Sequence, residues 1–187
     1  MSFYASGSQT VGPYFKLGFE WLYQNDAAGP NARGERVEIR GRVLDGNGAP
    51  VPDAVIEVWQ ADADGHYRHP EDPGSREVDP GFRGFARTPT DADGGFAIRT
   101  VKPGRVAGPG GSLQAPHLSV LVMMRGLLKQ APTRMYFPDG PGNDNDPVLA
   151  LVPAERRGTL IPAKAGDGAL EWVIRMQGDR ETVFFEY

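Results

Sequence analysis

The chain of 187 residues contains no cysteine. A structural disulfide, a thiolate nucleophile and a zinc–thiolate site are therefore excluded. No apolar run approaches the roughly 18 residues that a membrane-spanning helix needs, and the start MSFYASGSQT lacks the basic and apolar regions of a secretory signal. There is no long basic run and the formal net charge is -4, so nothing indicates binding to nucleic acid or to an anionic membrane. We therefore expect a cytoplasmic protein.

The motifs of several common enzyme chemistries are also missing. The sequence has no G-x-S-x-G nucleophile elbow, no phosphate-binding P-loop, no dinucleotide fingerprint and no H-E-x-x-H zinc motif. The glycine-rich stretch GPGGS at 108–112 lacks the lysine and the following helix that phosphate binding requires, so we interpret it as a loop. The chain has only three histidines, which are His66, His69 and His117.

Glycine and proline, in contrast, are abundant, with 25 and 17 residues, and they separate short segments in which apolar and polar residues alternate. Alternation with a period of two is typical of half-buried strands. The strand candidates include VEIRGRVLD, AVIEVWQAD, GGFAIRTVKPG, HLSVLVMMRG, TRMYFP, ALEWVIRMQG and ETVFFEY. Many short strands joined by Gly/Pro turns predict an all-β fold, an antiparallel sandwich or barrel.

Helix signals are few, and the clearest lies in DPVLALVPAERRGTLI. Asp146 precedes Pro147, which is the pattern of an N-cap followed by proline at the first helical position. Pro153 should keep this helix short, because proline breaks a helix interior. Arg156 and Arg157 follow it and are predicted to form a solvated or ion-paired face.

The N-terminal part of the chain has a different character. The stretch SQTVGPYFKLGFEWLYQND is aromatic, and Gly12-Pro13 interrupts any regular pattern. We expect residues 1–35 to form an extended arm and residues 36–187 to form the β domain. Two alternatives stay open for the arm: it packs back on its own domain, or it covers the surface of a partner chain, since aromatic residues are enriched at interface cores.

The candidate metal ligands are isolated when they are taken one by one. A metal site on a strand needs ligands at i and i+2, but the position two residues after His117 is Ser119, whose neutral hydroxyl is a poor ligand. Taken alone, His117 is interpreted as a hydrogen-bonded core or loop-edge histidine. In GHYRH, His66 and His69 would lie on opposite faces of a strand, and Tyr67 is by default a packing residue.

Arg134 is a candidate of another kind, because it stands in a strand otherwise built for packing. A guanidinium there either pairs with a carboxylate of its own chain or presents a fixed positive charge to an anion. The sequence leaves both roles open.

Several segments in order resemble the intradiol ring-cleavage dioxygenases. They are EVWQADADGHYRH, TDADGGFAIRTVKPG, APHLS and YFPDG…DPVLALVPAERRGTLI. The arm SQTVGPYF and the ending DRETVFFEY resemble the branch whose enzymes contain two homologous chain types. This resemblance runs from about Ser8 to Tyr187. It implies a β-sandwich, with Fe(III) held by two tyrosines and two histidines in the catalytic beta-type chain, and cleavage of protocatechuate by O2 to 3-carboxy-cis,cis-muconate.

Matching the family's ligand pattern to this chain retains two ligands of four. The tyrosine of G-x-Y-x-H falls on Tyr67, but the tyrosine of K-P-G-P-Y falls on Val106. The pattern R-P-A-H-I-H keeps His117, places Ser119 at the second histidine and Gln114 at the arginine. The resemblance therefore implies that these four positions are the remnant of a metal site, that this chain binds no iron, and that the iron belongs to a homologous partner chain.

The resemblance also implies a role for the arm. In this branch the iron-free chain helps to form its partner's substrate pocket through a T-x-G-P loop and one arginine. These match Thr10, Gly12, Pro13 and Arg134 here, and Tyr14 is expected to line the same entrance. The alternative from another class is a stand-alone β-sandwich binding module without catalysis, in which the histidines and tyrosines are only structural.

Overall fold

The computed structural model describes residues 7–186, so residues 1–6 of the predicted arm and Tyr187 lie outside the described part. Ten strands are present in this part. They are β1 Arg36–Leu44, β2 Val55–Trp59, β3 Phe85–Pro89, β4 Gly95–Val101, β5 Val106–Ala107, β6 Leu113–Gln114, β7 His117–Met123, β8 Ala131–Tyr136, β9 Ala163–Lys164 and β10 Leu170–Arg175. The helical elements are α1, Tyr14–Gly18, and the 3-10 turns Glu20–Leu22, Pro109–Gly111, Asn143–Asn145, Leu149–Leu151 and Ala154–Leu160.

The strands form a β-sandwich, as predicted. One sheet has the order β4-β1-β10-β9, the other has the order β3-β2-β7-β8, and β5 and β6 form a separate ribbon. The main core lies between the two sheets and contains the buried apolar side chains of alternate strand positions, such as Ile39, Ile56, Ile98, Val120 and Trp172. This alternation is the period-two pattern seen in the sequence.

The prediction of an antiparallel sandwich needs one correction, because β1 and β10 pair in parallel. The two strands come from opposite ends of the domain, so no tight hairpin connects them and the chain can return in either direction. All the other strand pairs are antiparallel.

Two further expectations about strands were wrong. The ending ETVFFEY forms no strand within residues 181–186, because its backbone bonds in turn to two strands: Thr182 N–H to the Arg175 carbonyl and Phe185 N–H to that of Pro132. The strand Phe85–Pro89 was missed, because Gly, Arg and Pro dilute its apolar pattern. Within its sheet it pairs only with β2, and the edge of a sheet is where proline is tolerated.

The predicted short helix is two 3-10 turns, Leu149–Leu151 and Ala154–Leu160, separated at Pro153. Asp146 performs the expected capping, since its Oδ1 accepts hydrogen bonds from the backbone N–H groups of Val148 (2.9 Å) and Leu149 (2.7 Å). Arg156 lies 3.7 Å from Glu181 and Arg157 donates to backbone carbonyls, in agreement with an ion-paired face. Within residues 7–186 no helix is both long enough and apolar enough to cross a membrane.

Candidate functional site: the former metal site and the arm

The four positions that match the family's ligand pattern lie on one side of the sheet β3-β2-β7-β8, the side that faces away from the main core. His117 and Ser119 are two residues apart on β7, so their side chains leave the same face of the sheet. Tyr67 lies in the long connection between β2 and β3, and Val106 begins β5. These four residues, Tyr67, Val106, His117 and Ser119, match the family's ligand pattern, and for that reason they are called the former metal site below.

His117 is buried, with 3% of its surface exposed. Its Nδ1 lies 2.8 Å from the carbonyl oxygen of Ala115, and since a carbonyl only accepts hydrogen bonds, Nδ1 carries the proton. Burial, reinforced by the positive charge of Arg134, lowers the pKa of His117 to about 4. The imidazole is therefore neutral at pH 7, as expected of the hydrogen-bonded core histidine that the sequence suggested.

Tyr67 is fixed by its surroundings. Its backbone N–H donates to Asp72 Oδ2 (2.7 Å), and its ring stacks on Trp59 with the centroids 6.2 Å apart and the planes 5° from parallel. Burial raises the pKa of the Tyr67 hydroxyl, while the charge of Arg134 acts in the opposite direction. Tyr67 also lines a cavity of about 890 Å³, with walls that include Trp59, His66, His69, Arg105 and Val106.

Arg134 lies among these residues, half-buried on β8. Its Nη1 donates to Gln114 Oε1 (2.7 Å) and, more weakly, to the Tyr136 hydroxyl (3.4 Å). The Tyr136 hydroxyl in turn donates to Oδ1 of the buried Asp146 (3.1 Å). The side chain is thus held in a polar chain that reaches a carboxylate of its own chain only through the Tyr136 hydroxyl.

Asp146 is a member of this site that sequence reasoning recognised only as a helix cap. Besides the capping bonds, its Oδ2 accepts a hydrogen bond from the backbone N–H of Ala115 (2.7 Å), two residues before His117. Nothing in the local pattern around Asp146 signals this contact, because the residues it joins lie 31 positions apart.

The residues present do not fit a ferric ion of the kind the resemblance implies. A site with four protein ligands retains two donors here, and two donors cannot fill the coordination sphere. The guanidinium of Arg134 adds a fixed positive charge beside them, which disfavours a metal cation further. In the part of the chain that the structure describes, no group of three or more His, Cys, Asp or Glu side chains is placed to hold a metal.

The two histidines of GHYRH, His66 and His69, both line the same cavity as Tyr67, but they contact different residues. His66 lies 3.4 Å from Glu77, and the His69 ring meets Trp59 edge-on at 6.3 Å. These contacts agree with the structural interpretation of both residues.

The predicted substrate-binding residues of the arm are brought together at its exposed end. Thr10 Oγ1 accepts hydrogen bonds from the backbone N–H groups of Gly12 (3.2 Å) and Gly126 (3.1 Å), which ties the loop to the β7–β8 turn. Gly12 has φ of +67°, and Pro13 precedes the first residue of α1, Tyr14, whose surface is 70% exposed. Arg134 is not part of this group; it lies further along β8, in the former metal site.

The arm both packs back on the domain and leaves an apolar surface open. Its later part, residues 24–35, joins the sandwich through backbone bonds such as Gln24 N–H to the Arg87 carbonyl (2.9 Å). Nearer the start, Lys16 Nζ donates to the carbonyls of Pro52 and Thr90, at 2.8 Å each. The exposed large apolar side chains of the arm are Val11, Tyr14, Leu17 and Trp21, the last with 81% of its surface exposed.

Comparison with known proteins agrees with this geometry. A family profile described as "Dioxygenase" matches residues 12–150, which is most of the chain. The chain belongs to the intradiol dioxygenase family. The β-sandwich and the partly retained ligand pattern described above are thus features of a dioxygenase-family chain.

Within the family, the chain is similar to both types of chain of one enzyme. It is 45% identical to the protocatechuate 3,4-dioxygenase alpha chain of Burkholderia cepacia, over 96% of this chain and 95% of that one. It is 36% identical to the beta chain from the same organism, over 75% of this chain and 60% of that one. The solved structure of 3-chlorocatechol 1,2-dioxygenase from Rhodococcus opacus 1CP shares the fold, with a TM-score of 0.60 and 22% identity, over 93% of this chain and 68% of that one.

Proposed function

We propose that this chain is the iron-free subunit of a heteromeric intradiol dioxygenase that cleaves protocatechuate with O2 to 3-carboxy-cis,cis-muconate, in the beta-ketoadipate route of aromatic degradation. The observation that carries the proposal is the composition of the former metal site. Val106 and Ser119 stand where the family pattern has two ligands, and Arg134 places a cation directly opposite Ser119.

A chain without its own metal needs a catalytic partner. The proposal assigns that role to a homologous beta-type chain, which binds Fe(III) and supplies the metal chemistry that activates the catechol toward O2. Similarity of this chain to both the alpha and the beta chain of a protocatechuate 3,4-dioxygenase supports such a pairing. We place the enzyme in the cytoplasm.

The arm is the proposed contact with this partner. Tyr14, Leu17 and Trp21 together expose a large apolar surface on one short segment, and apolar surface of this kind is stabilised when a partner covers it. Hydrogen bonds from Lys16 hold the segment on its own domain, so it is presented in a fixed position and loses little entropy on binding.

The loop before α1 is the proposed contact with the substrate. Gly12 carries no side chain, and Pro13 fixes the backbone, so this stretch can approach a flat aromatic ring closely. Thr10 holds the loop in shape through its two hydrogen bonds, and Tyr14 lines the entrance. We assign the positive charge of Arg134 the attraction of the substrate's carboxylate, which protocatechuate has and catechol lacks.

The proposal is tested with the full chain purified alone, a beta-type chain purified alone, and the two co-expressed. We expect this chain alone to be colourless and inactive. The co-expressed pair should contain one iron per beta-type chain, show the visible absorption of tyrosinate bound to Fe(III), and consume O2 when protocatechuate is added. Stoichiometric iron and turnover in this chain alone would contradict the proposal.

The stand-alone binding module predicts a different result. It requires a monomer whose behaviour does not change when a beta-type chain is present. If the two chains fail to associate, the stand-alone module is favoured. If they co-purify but O2 uptake does not exceed that of the beta-type chain alone, this chain binds its partner without contributing to catalysis. Neither of the two curated relatives described above is such a module.

A further inference from the structure

The pairing of the strands places Arg134 beside one substituted ligand position and connects it to the other through Gln114. On one side, Ser119 of β7 is the direct cross-strand partner of Arg134 on β8. Directly paired residues of neighbouring strands project from the same face, with Cβ atoms about 5 Å apart. On the other side, Arg134 bonds to Gln114, and Gln114 of β6 is the cross-strand partner of Val106 on β5.

The two retained ligand positions, His117 and Tyr67, are also influenced by the Arg134 guanidinium. His117 lies on the same face of β7 as Ser119, and its cross-strand partner, Tyr136, receives the weaker hydrogen bond from Arg134. The positive charge of Arg134 lowers the pKa of both His117 and Tyr67 relative to what burial alone would give. Arg134 thus faces Ser119 directly, and hydrogen bonds to Gln114 and Tyr136 connect it to the strand partners of the other two strand positions. Its charge also acts on Tyr67.

We propose that the Arg134 side chain takes the place of the metal ion in this chain, supplying the positive charge at the centre of the former metal site and keeping cations out of it. The inference concerns this chain alone and does not depend on which substrate a partner cleaves. It implies that restoring the two lost ligands is not enough to restore a metal site, because a fixed cation would remain in contact with the incoming ion.

The positive charge of Arg134 is balanced within the chain, because the Tyr136 hydroxyl connects Arg134 to the buried carboxylate of Asp146. A bound metal and the guanidinium would thus compete for the same place and the same counter-charge.

The test restores the ligands with Arg134 kept and with Arg134 removed. Both restoring changes have space, since Val106 lines the cavity of about 890 Å³ and Ser119 lines a second cavity of about 290 Å³. The first variant carries Val106→Tyr and Ser119→His. The second and third add Arg134→Gln or Arg134→Ala, two neutral replacements, so that the result does not depend on one new hydrogen bond to Gln114.

Each full-length variant is incubated with Fe(II) in air, desalted, and assayed for iron and for the visible absorption of tyrosinate bound to Fe(III). Circular dichroism and a cooperative thermal transition establish that it is folded. We expect no bound iron when Arg134 is kept and about one iron per chain, with colour, in a neutral variant. Adding Tyr67→Phe to that variant should weaken the colour, because it removes one of the two tyrosinates.

Two matched controls separate charge at this site from charge in general. Arg42→Gln removes an exposed arginine from β1 of the other sheet, and in the ligand-restored chain it should leave iron binding absent. Arg134→Lys keeps a cation at the site and should also leave iron binding absent. Iron bound with Arg134 kept, iron bound in the Lys variant, or no iron in the folded neutral variants would overturn the proposal.

Discussion

Gln114 and Arg134 are joined by a hydrogen bond of 2.7 Å between Oε1 and Nη1, which links the β5–β6 ribbon to the edge strand β8 of the second sheet. In the pattern that the sequence resembles, the arginine stands at position 114. The glutamine at that position here holds Arg134, which pairs with Ser119 across the neighbouring strands. The residue that matches the pattern's arginine thus positions another arginine beside one of the two missing ligands.

The first prediction concerns the substrate role of Arg134. In the assembled enzyme, Arg134→Ala should raise the KM for protocatechuate several-fold, because a positive charge that attracts the carboxylate is lost. The KM for catechol, which has no carboxylate, should stay the same, and so should the iron content. Steady-state O2 uptake with both substrates measures this. Unaltered kinetics would remove Arg134 from the substrate pocket, and an equal rise in KM for both substrates would show that its effect does not depend on the carboxylate.

Tyr67 gives a second prediction, about which chain holds the iron. In the assembled enzyme, Tyr67→Phe should leave the tyrosinate absorption unchanged, since the hydroxyl lies in the former metal site and the ring still stacks on Trp59. Visible spectra and iron analysis of the purified heteromer measure this. Loss of the colour would mean that this chain is the one that binds the metal.

The pH dependence of stability gives a third prediction. The pKa of His117 is lowered from its ordinary value of 6.5 to about 4, so between these pH values the unfolded state binds a proton that the folded state does not. The contribution of His117 to the free energy of unfolding should therefore be complete above pH 6.5. It should fall with decreasing pH, with a slope of at most about 1.4 kcal/mol per pH unit, until it levels off near pH 4.

Urea unfolding of the full chain between pH 4 and pH 7 measures this slope. The groups facing His117 are Arg134, Asp146 and Tyr136, so the variant must spare them. His117→Gln should flatten the profile in this range at some cost in stability, whereas His69→Gln, at an exposed position, should leave it unchanged. An unaltered profile in His117→Gln would show that other groups carry the dependence.

The fourth prediction concerns assembly. Trp21→Ser and Leu17→Ser should each weaken association with the beta-type chain at least tenfold, because a side chain that the partner covers is removed. The thermal stability of the free chain should change little, since both side chains are exposed. The control is Leu151→Ser, at an 80% exposed leucine outside the arm. Titration of labelled partner chain compares the affinities, and equal affinities for all three would exclude the arm from the interface.

The sequence predicted the sandwich because alternation of apolar residues is a local signal. The strands containing Ile39, Ile56, Ile98 and Val120 follow that pattern, and all were predicted. It could not predict that β1 and β10 run parallel, since this depends on how distant segments meet. Likewise, the local pattern Asp146-Pro147 predicted that Asp146 caps a helix. The hydrogen bond between Tyr136 and Asp146 depends on how separate segments pack and could not be predicted.

Within the site, the pattern identified which ligands are lost but not what replaces them. Val106 and Ser119 were recognised by their position in two motifs. Arg134 was recognised as an unusual charge in a packing strand, and was grouped with the arm because of the resemblance. Its position among the former ligands follows from two strand registers, Ser119 with Arg134 and Val106 with Gln114, and register between separate segments is not encoded locally.

The last prediction tests the loop that is proposed to approach the substrate. Gly12 has φ of +67°, a conformation that other residues adopt at a cost of about 1–2 kcal/mol, although no atom lies within 4 Å of the place where a Cβ would stand. Gly12→Ala should therefore shift the loop without a clash inside this chain and project a methyl group from the loop. In the assembled enzyme we expect a higher KM for protocatechuate with unchanged iron content.

Gly18→Ala is the matched control, because Gly18 has equally open surroundings but no positive φ, and it belongs to the same arm. This control should leave the KM unchanged. Steady-state kinetics of both heteromers, together with their thermal transitions, distinguishes a local effect at the substrate from a general weakening of the arm. If both variants raise the KM equally, the effect lies in how the arm docks; if neither does, the Gly12-Pro13 loop does not approach the substrate.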